Sequence, residues 1–291
     1  MSGLSDWLRL VRFSHSIFAL PFALASAWLA SGGRPSWRVL SLIVLCAVAA
    51  RTAAMAFNRL VDRKLDAENP RTRGRELPSG KLGPRAVGVL VLVSAAAFVA
   101  GAFALNRLCG LLSVPVLAVL LGYSLVKRVS WLAHAVLGLA LALAPLGAWV
   151  AVTGTLDGDL APPLLLAAAV LLWVFGFDLI YACQDAEHDR AAGLFSIPAR
   201  FGVRAALSAS SAAHALTVAV LAAFGVSAGL GLAYWCVLLA AALLLVWQHR
   251  IVAPDDLSRV DLAFFTLNGW VGVALFVGVA LDVSLAGGGV A

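Results

Sequence analysis

Long apolar stretches alternate with short polar ones along the whole chain. Apolar residues make up 62% of the sequence and charged residues only 12%, whereas a soluble domain has about half and about a quarter. Runs of about 20 apolar residues are long enough to cross a bilayer as helices. The pattern predicts an all-α, multi-pass membrane bundle with nine transmembrane helices, at residues 14–32, 39–57, 84–105, 108–126, 131–152, 162–182, 205–226, 228–247 and 260–283.

The basic residues predict the orientation of these helices. If the N-terminus lies in the cytoplasm, most Lys and Arg residues fall in cytoplasmic segments, while the opposite side holds Arg34, Arg38 and Arg107. Cytoplasmic loops of membrane proteins carry such an excess of basic residues. The net charge of +6 is therefore interpreted as a topology signal, and no nucleic-acid partner is expected. We expect a bacterial inner-membrane protein whose residues 1–291 form a single domain in the lipid bilayer.

Two groups of acidic residues follow apolar helical segments on the predicted cytoplasmic side. Asn58, Asp62 and Asp66 are spaced four residues apart, and Asp185 and Asp189 repeat that spacing four helices later. Residues i and i+4 share one face of a helix, so each group is expected to point its oxygens in one direction. The repeated arrangement predicts two related helical subgroups whose acidic ends face each other across a central cavity.

Clustered carboxylates repel one another unless a cation lies between them. Mg²⁺ prefers oxygen ligands and commonly binds one or two carboxylates together with phosphate oxygens of a substrate. The five acidic and amide side chains therefore predict an Mg²⁺ site. Basic residues near them are candidates for binding a phosphate group, and they are Arg71, Arg75, Lys81, Lys127 and Arg128.

Other interpretations of these residues stay open at this stage. Charged side chains in cytoplasmic loops are often only solvated. His15, His134, His214 and His249 are interpreted as packing or interface residues, whereas His188, between Asp185 and Asp189, either supports the second acidic group or is merely exposed. Acidic residues in membrane helices also mark the ion pathways of transporters, so a secondary transporter is the alternative from another class. The one basic residue in the middle of a predicted span is Arg51, seven residues before Asn58 and on the same face, and such a residue is a candidate for function.

The residues around both acidic groups resemble the UbiA family of intramembrane aromatic prenyltransferases. The stretch NRLVDRKLDAENPRTRGRELPSG resembles that family's N-x3-D-x3-D motif with its following R-x-L-P-x-G turn. The stretch DLIYACQDAEHDRAAGLFSIPARFG resembles the second motif, Y-x3-D-x3-D, and Tyr123, Lys127 and Arg128 match a Y-x3-KR pattern. One position departs from the family: Arg59 stands where many members have Asp, which removes one possible metal ligand.

The resemblance implies nine transmembrane helices around a cavity that opens to the lipid. It also implies that the Asp motifs hold Mg²⁺ on a polyprenyl diphosphate, with Asp62, Asp66, Asp185 and Asp189 as catalytic residues. An aromatic acid then attacks the allylic cation. The implied acceptor is 4-hydroxybenzoate in respiratory quinone synthesis, with a dihydroxynaphthoate of menaquinone synthesis as the alternative. Our candidates for lining the acceptor cavity are Arg51, Tyr123, Asp178 and Tyr181.

Overall fold

The structure, a computed structural model, describes residues 3–11 and 18–287. Within those two ranges the chain is helical and contains no strand, apart from an isolated bridge between Ala253 and Asp256. The expected all-α class is confirmed. The helices are α1 Leu4–Leu10, α2 Leu20–Ala30, α3 Trp37–Glu68, α4 Pro84–Leu105, α5 Arg107–Val126, α6 Ala133–Thr153, α7 Ala161–Ala182, α8 Ala186–Ala191, α9 Ile197–Phe201, α10 Val203–Ser227, α11 Leu232–Arg250 and α12 Asn268–Gly287.

Eight helical segments of the described residues are long and apolar enough to cross a membrane. They correspond to the second through ninth predicted spans. The first predicted span, residues 14–32, differs: its described part contains only the 11-residue helix α2, and residues 14–17 lie outside the described residues. The predicted nine spans are therefore eight long helices and one shorter apolar helix. The next span is longer than predicted, because α3 continues for 32 residues through the whole first acidic motif.

Side chains at the helix ends set where several helices begin. The Ser36 hydroxyl accepts a hydrogen bond from Val39 N at 3.3 Å at the start of α3, and Asn106 Oδ1 accepts one from Cys109 N at 2.8 Å at the start of α5. Such caps satisfy backbone donors that have no partner inside the helix. Helix α6 ends at Thr153 and is followed by Gly154, whose positive φ of 73° favours glycine.

Helix α7 lies at the centre of the bundle and packs against α6 and α10. Trp173 on α7 is 1% exposed and contacts the rings of Phe22 and Phe177 at centroid distances of 5.1 and 4.9 Å. Its indole N–H donates to Asn268 Oδ1 at 2.8 Å, which satisfies the polar atom of a buried aromatic residue. This aromatic core fixes α2 and α12 against α7.

Helices α6 and α7 approach each other closely at Gly138. A Cβ atom at this position would lie 2.5 Å from the carbonyl oxygen of Leu171, so only glycine fits without moving backbone. His134 lies one helical turn from Gly138 on the same face of α6. The close approach therefore brings His134 against the C-terminal half of α7, where Asp178 lies.

Candidate active site

The first acidic motif lies on one face of the unbroken helix α3. Asn58 Nδ2 donates to Asp62 Oδ2 at 3.1 Å. Asp62 is 2% exposed and Asp66 is 6% exposed, although carboxylates are almost never this buried without partners. Both carboxylates must therefore be compensated by cations within the bundle.

Asp62 is compensated by the two basic residues that follow α5. Lys127 Nζ lies 2.8 Å from Asp62 Oδ2, and Arg128 Nη2 lies 2.9 Å from Asp62 Oδ1. Arg128 Nη2 also donates to the carbonyl oxygen of Val61 at 2.8 Å. These contacts join the end of α5 to the first motif.

Asp66 is compensated by two arginines. Arg75 Nη1 donates to Asp66 Oδ1 at 2.7 Å, and the buried Arg59 places its Nη1 3.9 Å from Asp66 Oδ2. Among the described residues, Asp66 Oδ2 is buried and accepts no hydrogen bond. Thr72 Oγ1 donates to the carbonyl oxygen of Asp66 at 3.0 Å, which folds the loop after α3 back over the motif and holds Arg75 in place.

The second motif does not continue as one α-helix, contrary to the expected i, i+4 arrangement on a single helix. Helix α7 ends at Ala182, residues Cys183–Asp185 form a 3₁₀ turn, and α8 begins at Ala186. Asp185 thus lies at the break and Asp189 lies on the short helix α8. Because a 3₁₀ turn has three residues per turn rather than 3.6, the break rotates Asp189 relative to the face of α7.

Arg71 connects the first loop to this second motif. Its guanidinium forms a two-pronged ion pair with the carboxylate of Asp185, in which Nε donates to Oδ1 at 2.9 Å. Arg71 Nη1 donates to Tyr181 Oη at 2.8 Å. Asn69 Nδ2 also donates to Asp185 Oδ1 at 3.0 Å, and Asn69 Oδ1 accepts from the backbone N–H of Arg71 at 2.9 Å.

The charge of Arg71 is stabilised by these contacts. Burial alone disfavours the charged guanidinium, but the hydrogen bonds that Arg71 donates to Asp185 and the nearby charges outweigh it, so the pKa of Arg71 is raised above its ordinary value. Arg71 therefore remains a permanent cation between the two motifs.

Asp189 and Lys81 are the remaining charged residues predicted for this site, and they differ in burial. Asp189 is half-buried and lies within electrostatic range of Asp185 and Lys127. A backbone hydrogen bond also links the segment after α8 to the end of α5, since Phe195 N donates to the carbonyl oxygen of Lys127 at 2.7 Å. Lys81 is exposed and forms no ion pair with any described residue.

An apolar cavity of about 190 Å³ begins beneath the first motif and follows helices α3, α5 and α6. Arg51 and Tyr123 line it near the charged end, and Cys109 and Val150 line it at the other end. Tyr123 and Cys109 are both on α5, and 14 helical residues correspond to about 21 Å. The cavity therefore extends through most of the apolar thickness of the bundle.

The structure separates the four residues predicted to line an acceptor cavity. Arg51 and Tyr123 lie together in the apolar cavity. Tyr181 instead contacts Arg71, which belongs to the charged cluster. We use this name for the paired acidic and basic side chains of both motifs: Asp62, Asp66, Arg71, Arg75, Lys127, Arg128 and Asp185. Asp178 Oδ2 lies 2.7 Å from His134 Nδ1, so His134 is a polar partner of Asp178 as well as a packing residue.

Known proteins share the sequence pattern and the fold of this chain. The sequence model of the UbiA prenyltransferase family matches residues 19–270. The chain belongs to this family. It is 33% identical to a 4-hydroxybenzoate octaprenyltransferase of Burkholderia vietnamiensis, with 97% of this chain and 96% of that protein aligned. It is 36% identical to one of Xanthomonas campestris pv. campestris, over 89% and 84% of the two chains.

Solved structures of UbiA homologues share the fold. A homologue from Aeropyrum pernix K1 has a TM-score of 0.83 and 37% identity, covering 92% of this chain and 98% of that one. A homologue from Archaeoglobus fulgidus bound to DMAPP and Mg²⁺ has a TM-score of 0.71 and 21% identity, covering 96% and 98%. The predicted family and activity are confirmed: this membrane protein is a prenyltransferase, and the transporter alternative is set aside.

The donor set of this UbiA-family chain fits a hard divalent cation. Among the described residues, no three His, Cys, Asp or Glu side chains are close enough together to hold a metal ion by themselves. Mg²⁺ does not require such a cage, since one or two carboxylates and substrate oxygens are its common ligands. The buried Oδ2 of Asp66, which accepts no hydrogen bond within the described part of the chain, is an oxygen of this kind.

Three residues of the site were missed or undervalued by the sequence analysis. Asn69 holds Asp185, and its only signal was the Asn-Pro turn directly after α3. Arg59 was interpreted only as a lost ligand, yet it is 5% exposed and faces Asp66. His134 was interpreted as a packing residue, because a histidine in an apolar segment carries no pattern that identifies its partner 44 residues away.

Proposed function

We propose that this prenyltransferase transfers a polyprenyl group from polyprenyl diphosphate to 4-hydroxybenzoate, with Mg²⁺ as its metal. The observation that carries the proposal is a single cluster of acidic and basic side chains from both motifs, which lies at one end of a long apolar cavity. The relatives named 4-hydroxybenzoate octaprenyltransferase support this choice of acceptor.

The charged cluster suits the head of the donor substrate. Each buried carboxylate is paired with one or two basic residues. A metal-bound diphosphate offers both groups a new partner, because the carboxylates can hold the cation while the basic residues hold phosphate oxygens. Asn58, Asp62, Asp66, Asp185 and Asp189 would hold Mg²⁺, which supplies neutralisation of the charge that develops on the diphosphate as the C–O bond breaks.

The basic residues then bind the leaving group. Arg75, Lys127 and Arg128 donate hydrogen bonds to diphosphate oxygens, and Arg71 adds a planar fork from the second motif. Lys81 is proposed as a weaker, solvated contact because it is exposed. Since these donors are already held in place by the carboxylates, little rearrangement is needed when negative charge grows on the leaving oxygen.

The apolar cavity suits the tail and excludes water from the allylic cation. Its long, narrow course beside α5 matches an extended isoprenoid chain, and its apolar lining protects a reactive cation from hydrolysis. Arg51 and Tyr123, at the boundary between charged cluster and cavity, are proposed to bind the carboxylate and ring of the acceptor. The ring then forms a C–C bond with the first carbon of the prenyl chain.

The location of the enzyme follows from the same features. We place the charged cluster on the cytoplasmic side of a bacterial inner membrane because the basic residues concentrate on that side. We also propose that residues 1–291 form one domain, which is supported by the packing of α12 against α2 within the described residues.

The test is a transfer assay with the purified protein in lipid nanodiscs. Geranyl diphosphate is offered with either 4-hydroxybenzoate or 1,4-dihydroxy-6-naphthoate, in Mg²⁺ or in excess EDTA, and products are measured by mass spectrometry. The proposal expects prenylated 4-hydroxybenzoate in Mg²⁺ and none in EDTA. Preferential prenylation of the naphthoate would overturn the proposed acceptor, and equal product in EDTA would overturn the metal.

A further inference from the structure

A second polar pair lies deeper in the bundle than the charged cluster. His134 at the start of α6 and Asp178 on α7 are 2.7 Å apart, between Nδ1 and Oδ2. The imidazole is almost fully enclosed, with 6% of its side chain exposed, whereas 20% of the Asp178 side chain remains accessible. The carboxylate is thus held from one side and open on another.

The hydrogen bonds of His134 fix which ring nitrogen carries the hydrogen. The backbone N–H of Ile197, at the start of α9, donates to His134 Nε2 at 3.4 Å. Nε2 is therefore the acceptor, and Nδ1 carries the hydrogen that is donated to Asp178. The hydrogen bond from Nδ1 orients the carboxylate of Asp178.

Asp178 lies within electrostatic range of the proposed acceptor site. Its charge acts on the phenol of Tyr123, which lines the apolar cavity with Arg51 and Leu137. Leu137 lies one turn after His134 on α6, so the His134–Asp178 pair lies next to residues that line this cavity.

Asp178 differs from the motif carboxylates in its partner. Asp62, Asp66 and Asp185 are each paired with Lys or Arg, so their oxygens are shared with basic side chains of both motifs. Within residues 3–11 and 18–287, the hydrogen-bond partner of Asp178 is His134, and no Lys or Arg forms an ion pair with it. The second carboxylate oxygen of Asp178 is therefore left for a proton of the acceptor.

We propose that Asp178 is the general base of the reaction and that His134 positions it; the inference rests on the proposed function. When the acceptor ring bonds to the first prenyl carbon, the C–O bond breaks and its electron pair leaves with the diphosphate. The attacked ring carbon then carries both a hydrogen and the prenyl group. Its C–H electron pair restores the aromatic ring, and the proton passes to the free carboxylate oxygen of Asp178, which returns it to solvent.

The test separates proton removal from cleavage of the diphosphate. Wild-type protein, Asp178→Asn, His134→Gln and the control Asp157→Asn, an exposed aspartate between α6 and α7, are assayed with acceptor whose ring positions carry hydrogen or deuterium. General bases contribute about 10²–10⁴-fold, so Asp178→Asn is expected to form product about 100-fold or more slowly. A primary deuterium isotope effect should appear that wild type and control lack.

The same experiment follows diphosphate release, which should continue in Asp178→Asn with water trapping the prenyl group. His134→Gln is expected to show a smaller loss with the same isotope effect, because the carboxylate remains but loses its orientation. Product at the wild-type rate in Asp178→Asn, or loss of product without an isotope effect, would overturn the assignment. If Asp178→Asn fails to bind a prenyl thiolodiphosphate, Asp178→Glu is used, and its failure to restore product also overturns it. Absence of transfer by the wild type would contradict the proposed function instead.

Discussion

The two acidic motifs share their spacing but differ in how the protein holds their carboxylates. Asp62 and Asp66 lie on the unbroken helix α3, are nearly inaccessible and each face two basic residues. Asp185 lies at a 3₁₀ break, its side chain is 18% exposed, and its ion pair is with Arg71. The first motif is fixed by its own helix, whereas the second is fixed by a residue from the loop of the first.

The difference predicts that the carboxylates of the two motifs contribute unequally to one site. A carboxylate buried between two cations cannot lose its charge without leaving both cations uncompensated, at a cost of about 3–5 kcal/mol. A partly exposed carboxylate is screened by water, and the loss of its charge costs less. The predictions therefore place the larger effects on the first motif and the smaller ones on the second.

The largest effect is expected from Asp62→Asn. The amide keeps the shape of the side chain but leaves Lys127 and Arg128 without their counter-charge and removes a proposed metal ligand. We expect kcat/KM for prenyl transfer to fall by about 100-fold or more, since each 1.4 kcal/mol is a factor of ten. Asp185→Asn should fall by a smaller factor, because one cation rather than two loses its partner. Equal losses in the two variants would remove the proposed distinction between the motifs.

Arg71→Lys should have an intermediate effect. Lysine keeps the positive charge but cannot bind the Asp185 carboxylate with two parallel donors and reach Tyr181 as well. We expect a loss of about tenfold in kcat/KM, equivalent to one charge-assisted hydrogen bond.

The matched control for Arg71 is Arg73→Ala, because Arg73 is an exposed arginine in the same loop and forms no ion pair within the described residues. It should retain wild-type activity. A loss in Arg73→Ala as large as that in Arg71→Lys would mean that the loop's total charge matters rather than its contact with the second motif.

The smallest effect is expected from Lys81→Ala. Its ammonium group is exposed, and an exposed charge contributes about 0–1 kcal/mol. We expect kcat/KM to change by less than about fivefold. A titration of activity against ionic strength checks the same point, because the contribution of an exposed charge is screened by salt. A large, salt-independent loss would bring Lys81 into the diphosphate site.

Much of this fold could be predicted from the sequence, because its signals are local. Eight of the nine spans predicted from apolar runs are long helices in the described part of the chain, and residue spacing correctly predicted Asp62 and Asp66 on one face of α3. Helix α2 is shorter than its apolar run, since hydropathy does not determine where a helix begins. The break at Cys183–Asp185 also escaped prediction, because an i, i+4 spacing is compatible with either a continuous or an interrupted helix.

The contacts between distant residues could not be predicted. Arg71 and Asp185 are 114 positions apart, and the sequence offers many basic residues that could equally reach that carboxylate. The pairing of His134 with Asp178 depends on the close approach of α6 and α7 at Gly138, a property of three-dimensional packing. Composition therefore indicated which residue types would be present, while the packed helices determined which of them meet.

The central claim is that both motifs build one binding site for a metal-bound diphosphate, and a binding measurement tests it most directly. The affinity of an unreactive prenyl thiolodiphosphate is measured in nanodiscs with and without Mg²⁺ for wild type, Asp62→Asn and Asp185→Asn. We predict that Mg²⁺ strengthens binding to the wild type and that this gain is reduced in both variants, more strongly in Asp62→Asn. A full Mg²⁺ gain in either variant would contradict the account, because that motif would then take no part in the shared site.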